Sequence, residues 1–276
     1  MIKNKKKFTA FFLVALSVNG WAQTDTNTAT SVVTATSVAQ SGQAGAFSNQ
    51  AALPGYSLGA PSGLVPGWGS VFASMAGTWW DSSELDAALS FGGGFGDPYQ
   101  SLGGVASLSI GSVDPRDGGS FNRGSLNLGF GHHFRQYALG LGAGVSNIDL
   151  WHESSGDEMD PSYYFTATKL LANDLVPVIW SIGLGNNAYS DVSKDISEDN
   201  RQDEWDVFSS IALYVNPRVS LIADYTSNMT SVGVSTVPFR KFPLVVNLAA
   251  MDVFQKDPLY DATKFLVTVG YGFSFR

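Results

Sequence analysis

Beyond residue 66 the chain alternates apolar and small or polar positions with a period of two. Twelve segments carry the pattern: 68–80, 85–96, 102–113, 125–135, 137–149, 162–172, 175–188, 204–215, 218–227, 229–237, 244–253 and 264–275. In the second, Leu85, Ala87, Leu89, Phe91 and Phe95 oppose Asp86, Ser90 and Gly92. In the fifth, Tyr137, Leu139, Leu141 and Val145 oppose Gly140, Gly142, Gly144 and Ser146. Successive side chains of a strand point to opposite faces, so each segment reads as a strand with one apolar face. The segment 162–172 is ambiguous, because Phe165 and Lys169 share a parity.

Segment lengths match the roughly 9–11 residues that a tilted strand needs to cross a bilayer. Connections alternate as well. Those at 97–101, around 136, at 173–174, 216–217 and 238–243 are short, whereas 114–124, 150–161, 189–203 and 254–263 are long and polar. Two connections expected on the long side, near 81–84 and 227–228, are short. No stretch beyond residue 22 supplies the run of apolar residues a membrane helix requires. An open sheet in lipid would leave backbone groups unpaired, so the strands must close. The fold class expected is all-β: a transmembrane, antiparallel, up-and-down β-barrel of about twelve strands. A soluble β-protein of similar strand count has no need of the alternation between short and long connections.

The N-terminal part is different. Lys3, Lys5, Lys6 and Lys7 precede the apolar run 8–18, and Gly20-Trp21-Ala22 places small residues before a cut ahead of Gln23. This reads as a cleaved secretory signal over 1–22. Residues 23–66 are rich in Thr, Ser, Ala, Gln and Gly, include Pro54, Pro61 and Pro66, and carry one charge, Asp25. They read as a flexible periplasmic segment, or as a plug folded into the barrel; 40–66 is the stretch best suited to threading. The barrel itself is assigned to 67–276.

Composition narrows the function. The 276-residue chain holds no cysteine, which removes disulfide frameworks and thiolate metal sites and suits an oxidising compartment. Cleavage of the signal would take four lysines and no acid, moving the formal charge from −8 to −12. Such a surface does not suit nucleic acid, whose phosphates demand basic side chains.

The C-terminus carries a specific resemblance. In Thr268-Val269-Gly270-Tyr271-Gly272-Phe273-Ser274-Phe275 a polar residue is followed two later by glycine and then by spaced aromatics, with Arg276 added at the end. This resembles the β-signal of Gram-negative outer-membrane barrel proteins. The resemblance implies that Thr268, Gly270, Phe273 and Phe275 form an assembly signal read by the barrel-assembly machinery. It also implies residence in the cell outer membrane, with membrane lipid and lipopolysaccharide as neighbours.

Inward positions on this reading are mostly glycine, serine and alanine, with Asp86, His133, Arg135, Asp206, Asp224 and Lys264 as the ionisable candidates. Small side chains leave room either for water or for another element. The expected function is porin-like passive diffusion of small solutes. The alternative is a plugged structural or interaction barrel whose acidic outer loops bind envelope polymers or a partner. Those loops contribute Glu153, Asp157, Glu158, Asp160, Asp195, Glu198 and Asp199. Carboxylates could hold a hard divalent cation, but the spacing is not that of an EF-hand, and a solvated acidic surface is the expectation.

No enzyme, metal or cofactor is expected. The three histidines are His132, facing lipid by parity, His133, facing the lumen, and His152, in an outer loop. A serine nucleophile needs a base within reach, and no such set is evident. Gly92-Gly93-Gly94 lacks the lysine of a phosphate loop and reads as a site of curvature or of close packing by a plug. Trp68, Trp79, Trp80, Trp151, Trp180, Trp205, Tyr163 and Tyr164 fall near strand ends, as an aromatic girdle would.

Overall fold

The computed structural model describes residues 53–79, 85–111, 121, 123–152, 159–172, 176–190, 204–226, 229–239, 242–256 and 262–275. Twelve antiparallel strands close into one barrel. They are β1 (Ser70–Trp79), β2 (Leu85–Gly96), β3 (Gly103–Gly111), β4 (Arg123–Phe134), β5 (Leu139–His152) and β6 (Ser162–Leu171). The circuit continues with β7 (Val178–Gly185), β8 (Asp206–Asn216), β9 (Val219–Thr226), β10 (Met229–Thr236), β11 (Leu244–Met251) and β12 (Lys264–Ser274). Each strand pairs with its sequence neighbours, and β12 closes on β1 from Ser70↔Ser274 to Trp79↔Phe265. Closure pairs the edges that an open sheet would present to lipid.

Alternation sets which residues face out. Phe165 is 61% exposed and Leu248 49%, and Trp180, Ile182, Leu184, Ile211, Leu213, Leu221 and Phe265 join them on the outer surface. A continuous apolar exterior around a closed barrel is the surface of a membrane-spanning protein, since a water-facing barrel would present polar side chains there. Aromatic rings gather at both rims. Trp79 stacks on Phe265 at 5.9 Å and Phe165 on Trp205 at 5.9 Å at the long-loop end, while Trp68 meets Phe275 edge-on at 6.5 Å at the short-turn end. Tyr164 is a correction to the expected girdle. It points inward and is buried, which also resolves the parity of β6: Phe165 and Lys169 face out and Thr166 and Thr168 face in.

Strand β5 runs to His152 rather than ending near 149, so Trp151 and His152 belong to the sheet and not to a loop. Its pairing with β4 shifts register between Gly124 and Ser125 and between Leu126 and Leu128. Each shift places an extra β5 residue opposite one on β4, and Asn147 takes φ 59° at the second. An added residue reverses parity, which is why simple alternation loses this strand at its far end.

Arg135 is a second correction. It was expected to face the lumen, but β4 ends at Phe134 and Arg135 lies in a 3-10 turn, exposed, with its guanidinium 4.2 Å from the centre of the Tyr99 ring. The turn releases it from the sheet before another inward position arises.

The expected signal over 1–22, the stretch 23–52, Trp80 and the acidic positions Glu153, Asp157, Glu158, Asp195, Glu198 and Asp199 lie outside the described residues. So does the side chain of Asp86, although its backbone pairs with Thr78 in β2.

Candidate functional site

The lumen is occupied by the chain itself. Residues 54–67 enter from the short-turn end, rise along β8–β10 as far as Asp224, turn, and return to join β1. The path is traced by hydrogen bonds to inward side chains. Near the short-turn end, Gly55 N–H donates to Ser235 Oγ at 2.6 Å, Ser220 Oγ donates to Gly55 O, and Tyr214 Oη donates to Pro54 O at 3.0 Å. Higher up, Ser210 Oγ donates to Tyr56 O at 2.8 Å. At the apex, Leu58, Gly59 and Ala60 direct three consecutive N–H groups at Asp224 Oδ2, at 2.8, 2.8 and 3.1 Å. Ser57 Oγ adds a fourth contact at 3.0 Å.

The descending limb crosses to the opposite wall. Thr166 Oγ1 donates to Pro61 O at 3.1 Å, Gly63 N–H donates to Thr168 Oγ1 at 2.9 Å, and Val65 N–H donates to His133 Nε2 at 3.0 Å. An irregular segment carries backbone groups that no ladder satisfies, and here inward hydroxyls and one imidazole take that part. His133 Nε2 must then be an unprotonated acceptor, so its tautomer carries hydrogen on Nδ1.

Glycines make the space. A Cβ on Gly63 would lie 2.4 Å from the carbonyl oxygen of Gly140, and one on Gly94 would lie 2.4 Å from that of Gly67. The segment therefore lies backbone to backbone against β2 and β5, where any larger side chain would collide. Of the Gly92–Gly94 run, Gly94 serves this packing, while Gly92 makes room for the ring of Phe72.

Apolar groups fill much of the remainder. Tyr56 and Leu58 join Ala76, Ala88, Ile179, Ala212, Ile222, Ala249, Met251 and Leu266 in one buried cluster drawn from seven strands. Above the apex, Ala60 packs with Tyr164, Phe208 and Tyr189. Tyr189 comes from a 3-10 turn after β7 and is fastened by a 2.8 Å hydrogen bond between its hydroxyl and Ser146 Oγ. This aromatic layer covers the segment toward the long-loop end.

The remaining predicted positions are spread around the barrel. Asp224 is buried, 4% exposed, and holds the apex. Asp206 shares the inward parity of β8 but opens that strand at the long-loop rim, half-buried. Lys264 likewise opens β12, buried and inward. Asp160 is exposed beyond the rim. In the assembly-signal stretch, Thr268 faces in and accepts from Asn247 Nδ2 at 2.6 Å, Gly270 faces in, and Phe273 and Phe275 are exposed on the outside. His132 faces out and contacts the Ser101 carbonyl, and His152 Nδ1 lies 2.5 Å from Asp149 Oδ2. Sequence reasoning missed the part played by Ser210, Ser220, Ser235, Thr166 and Thr168. Their inward parity was readable for some, but their acceptor and donor partners were not.

Comparison with known proteins yields likeness in barrel architecture. No family model matches the chain, and no curated protein matches it. Among solved structures, an outer-membrane channel from Pseudomonas putida F1 is similar at 10% identity and TM-score 0.43, over 75% of this chain and 96% of that one. Outer membrane phospholipase A from Escherichia coli is similar at 11% identity and TM-score 0.45, over 75% of this chain and 90% of that one. OprB from Pseudomonas putida is similar at 9% identity and TM-score 0.34, over 74% and 93%.

Proposed function

We propose that this protein is an outer-membrane channel closed by its own residues 54–66, and that small solutes diffuse through it when that segment leaves. One observation carries the reading: a segment with no regular structure of its own occupies the lumen and is fastened mainly by side-chain hydrogen bonds. Such bonds contribute about 0.5–1.5 kcal/mol each, because water replaces them when they break. A segment held this way can exchange protein partners for water without disturbing the strand ladder around it. Continuous porin-like diffusion is the part of the expectation that this reading changes, since the buried cluster around Tyr56 and Leu58 stands in the way.

The outer-membrane assignment draws on the apolar exterior, the alternation of short and long connections and the C-terminal stretch from Thr268 to Phe275. A non-enzymatic role is favoured by the histidines. The Nε2 of His133, the lumenal one, is engaged by a backbone amide, and His132 faces outward.

A reversible lock tests the gate. An ideal Cβ at Gly55 lies 3.4 Å from Ser235 Cβ, close to the separation a disulfide spans, and the chain has no competing cysteine. The double variant Gly55→Cys, Ser235→Cys should be silent in planar bilayers when oxidised and should open after reduction. Equal current in both states, with the disulfide verified by mass, would refute a gate formed by this segment. Silence in both states would favour a permanently filled structural barrel.

A further inference from the structure

The segment itself, over 53–67, carries no charged side chain. Asp224 is the one carboxylate among its described hydrogen-bond partners. Its Oδ2 receives three backbone amides and the Ser57 hydroxyl, whereas its Oδ1 is buried without a hydrogen bond. The neighbours of Asp224 in the register are neutral: Ser210 on β8 and Ser231 on β10, with Ser181 beyond. Of the other buried or inward charged side chains described, Arg123, Asp206 and Lys264 each open their strand at the long-loop rim, and Asp252 follows the last residue of β11 at that same rim, accepting from the Lys256 amide. Asp149, also toward that rim, is engaged with His152.

We infer that Asp224 serves the conduit twice: as the latch that holds the apex of the segment, and as the charge that selects cations once the segment has left. This rests on the gated-channel reading above. The two duties use different properties of one side chain. Latching needs an acceptor oxygen where three consecutive N–H groups converge, for without it those amides are buried unpaired. Selection needs negative charge at a depth where the described wall residues are otherwise neutral. Departure of the segment removes all four donors together and leaves the carboxylate facing the aqueous path, where it attracts cations and repels anions.

Two substitutions in the full chain separate the duties. Asp224→Asn keeps an acceptor oxygen and the volume but loses the charge; Asp224→Ala loses both. Single-channel recording across a potassium chloride gradient reads both properties, with heat-modifiable migration on detergent gels confirming that each barrel is closed. Both variants should lose roughly three-fold in the potassium-to-chloride permeability ratio. Asp224→Ala alone should also raise the open fraction about ten-fold or more. Unchanged reversal potentials would overturn the selectivity role, and an Ala variant no more open than the wild type would overturn the latch. If the cysteine lock is silent both oxidised and reduced, the channel reading fails and this inference with it. A lock that opens on reduction, with a reversal potential indifferent to residue 224, overturns this inference alone.

Discussion

The tightest point in the lumen offers a test with a single methyl group. Gly63 meets the barrel wall at Gly140. A Cβ at residue 63 would stand 2.4 Å from the Gly140 carbonyl oxygen, 2.7 Å from its carbon and 3.2 Å from the Leu141 nitrogen. All three are backbone atoms, and Gly140 is paired on both sides, with His133 of β4 and Thr168 of β5's other neighbour β6. The wall cannot retreat without breaking its ladder, so in Gly63→Ala the segment must move. Overpacking of this kind costs about 1–3 kcal/mol. On the proposed gated-channel reading the open state contains no such collision, so that cost acts on the gating equilibrium alone, and at 1.4 kcal/mol per decade the open-to-closed ratio should rise roughly 5- to 150-fold. The contact is reciprocal, since a Cβ on Gly140 would lie 2.6 Å from Gly63 O. Gly140→Ala should therefore open the channel too, and the double variant should show less than the sum of the two. Open probability in planar bilayers measures the effect, and unheated migration on gels checks the barrel. A closed-barrel Gly63→Ala protein with wild-type open probability would refute the account of how the segment seats.

Three further outcomes follow from the geometry. His133→Ala should leave the Val65 amide without its acceptor and raise the open fraction by an amount worth about 1–3 kcal/mol, whereas His133→Gln, which retains an acceptor, should stay nearer the wild type; bilayer recording separates them. Phe208 is 0% exposed between Tyr189 and Gly183, so Phe208→Ala should destabilise the barrel by about 3–5 kcal/mol, read as a lower urea midpoint for unfolding in lipid vesicles. Phe273→Arg should deplete the protein from the cell's membrane fraction, because the charge would sit on the exposed face of the closing strand within the assembly-signal stretch; an undiminished membrane fraction would count against that role.

The strands were legible because lipid enforces a rule at every second residue. Each of the twelve segments read from the sequence overlaps one strand of the barrel, with β4, β5 and β8 running past the expected bounds, and the long connections share one end with the two short exceptions near 81–84 and 227–228. Errors came where a local event overrode the rule. Bulges in β5 shifted its parity and lengthened it to His152, and the turn after Phe134 carried Arg135 out of the sheet. Tyr164 looked like a girdle residue from its place near a strand end, but parity turns it inward to meet Tyr189 edge-on at 5.7 Å. A plug drawn from 40–66 was one of two open expectations, but the path that residues 54–67 take was not legible. It depends on Gly63 meeting Gly140 and on Asp224 meeting Leu58, pairs separated by 77 and 166 positions that no local pattern relates.

That gap has a physical cause. The small and polar inner face left water and a folded-in element equally open, and Ser210, Ser220, Ser235, Thr166 and Thr168 are the partners of an irregular backbone. A hydroxyl is satisfied equally by water and by a peptide group, so a polar inner face is required whether the barrel holds solvent or a segment of chain. Polarity of the lumen thus cannot distinguish an open pore from a plugged one. Steric room can: inward Gly63-facing positions such as Gly131, Gly140 and Gly142 lie on adjacent strands β4 and β5, and together they form a shallow trough in which a backbone fits and a side chain does not. Water needs no such trough, because it adapts to any polar wall. Clustered inward glycines on neighbouring strands, opposite a wall of hydroxyls and one buried carboxylate, are therefore the pattern that marks a barrel built to receive its own chain.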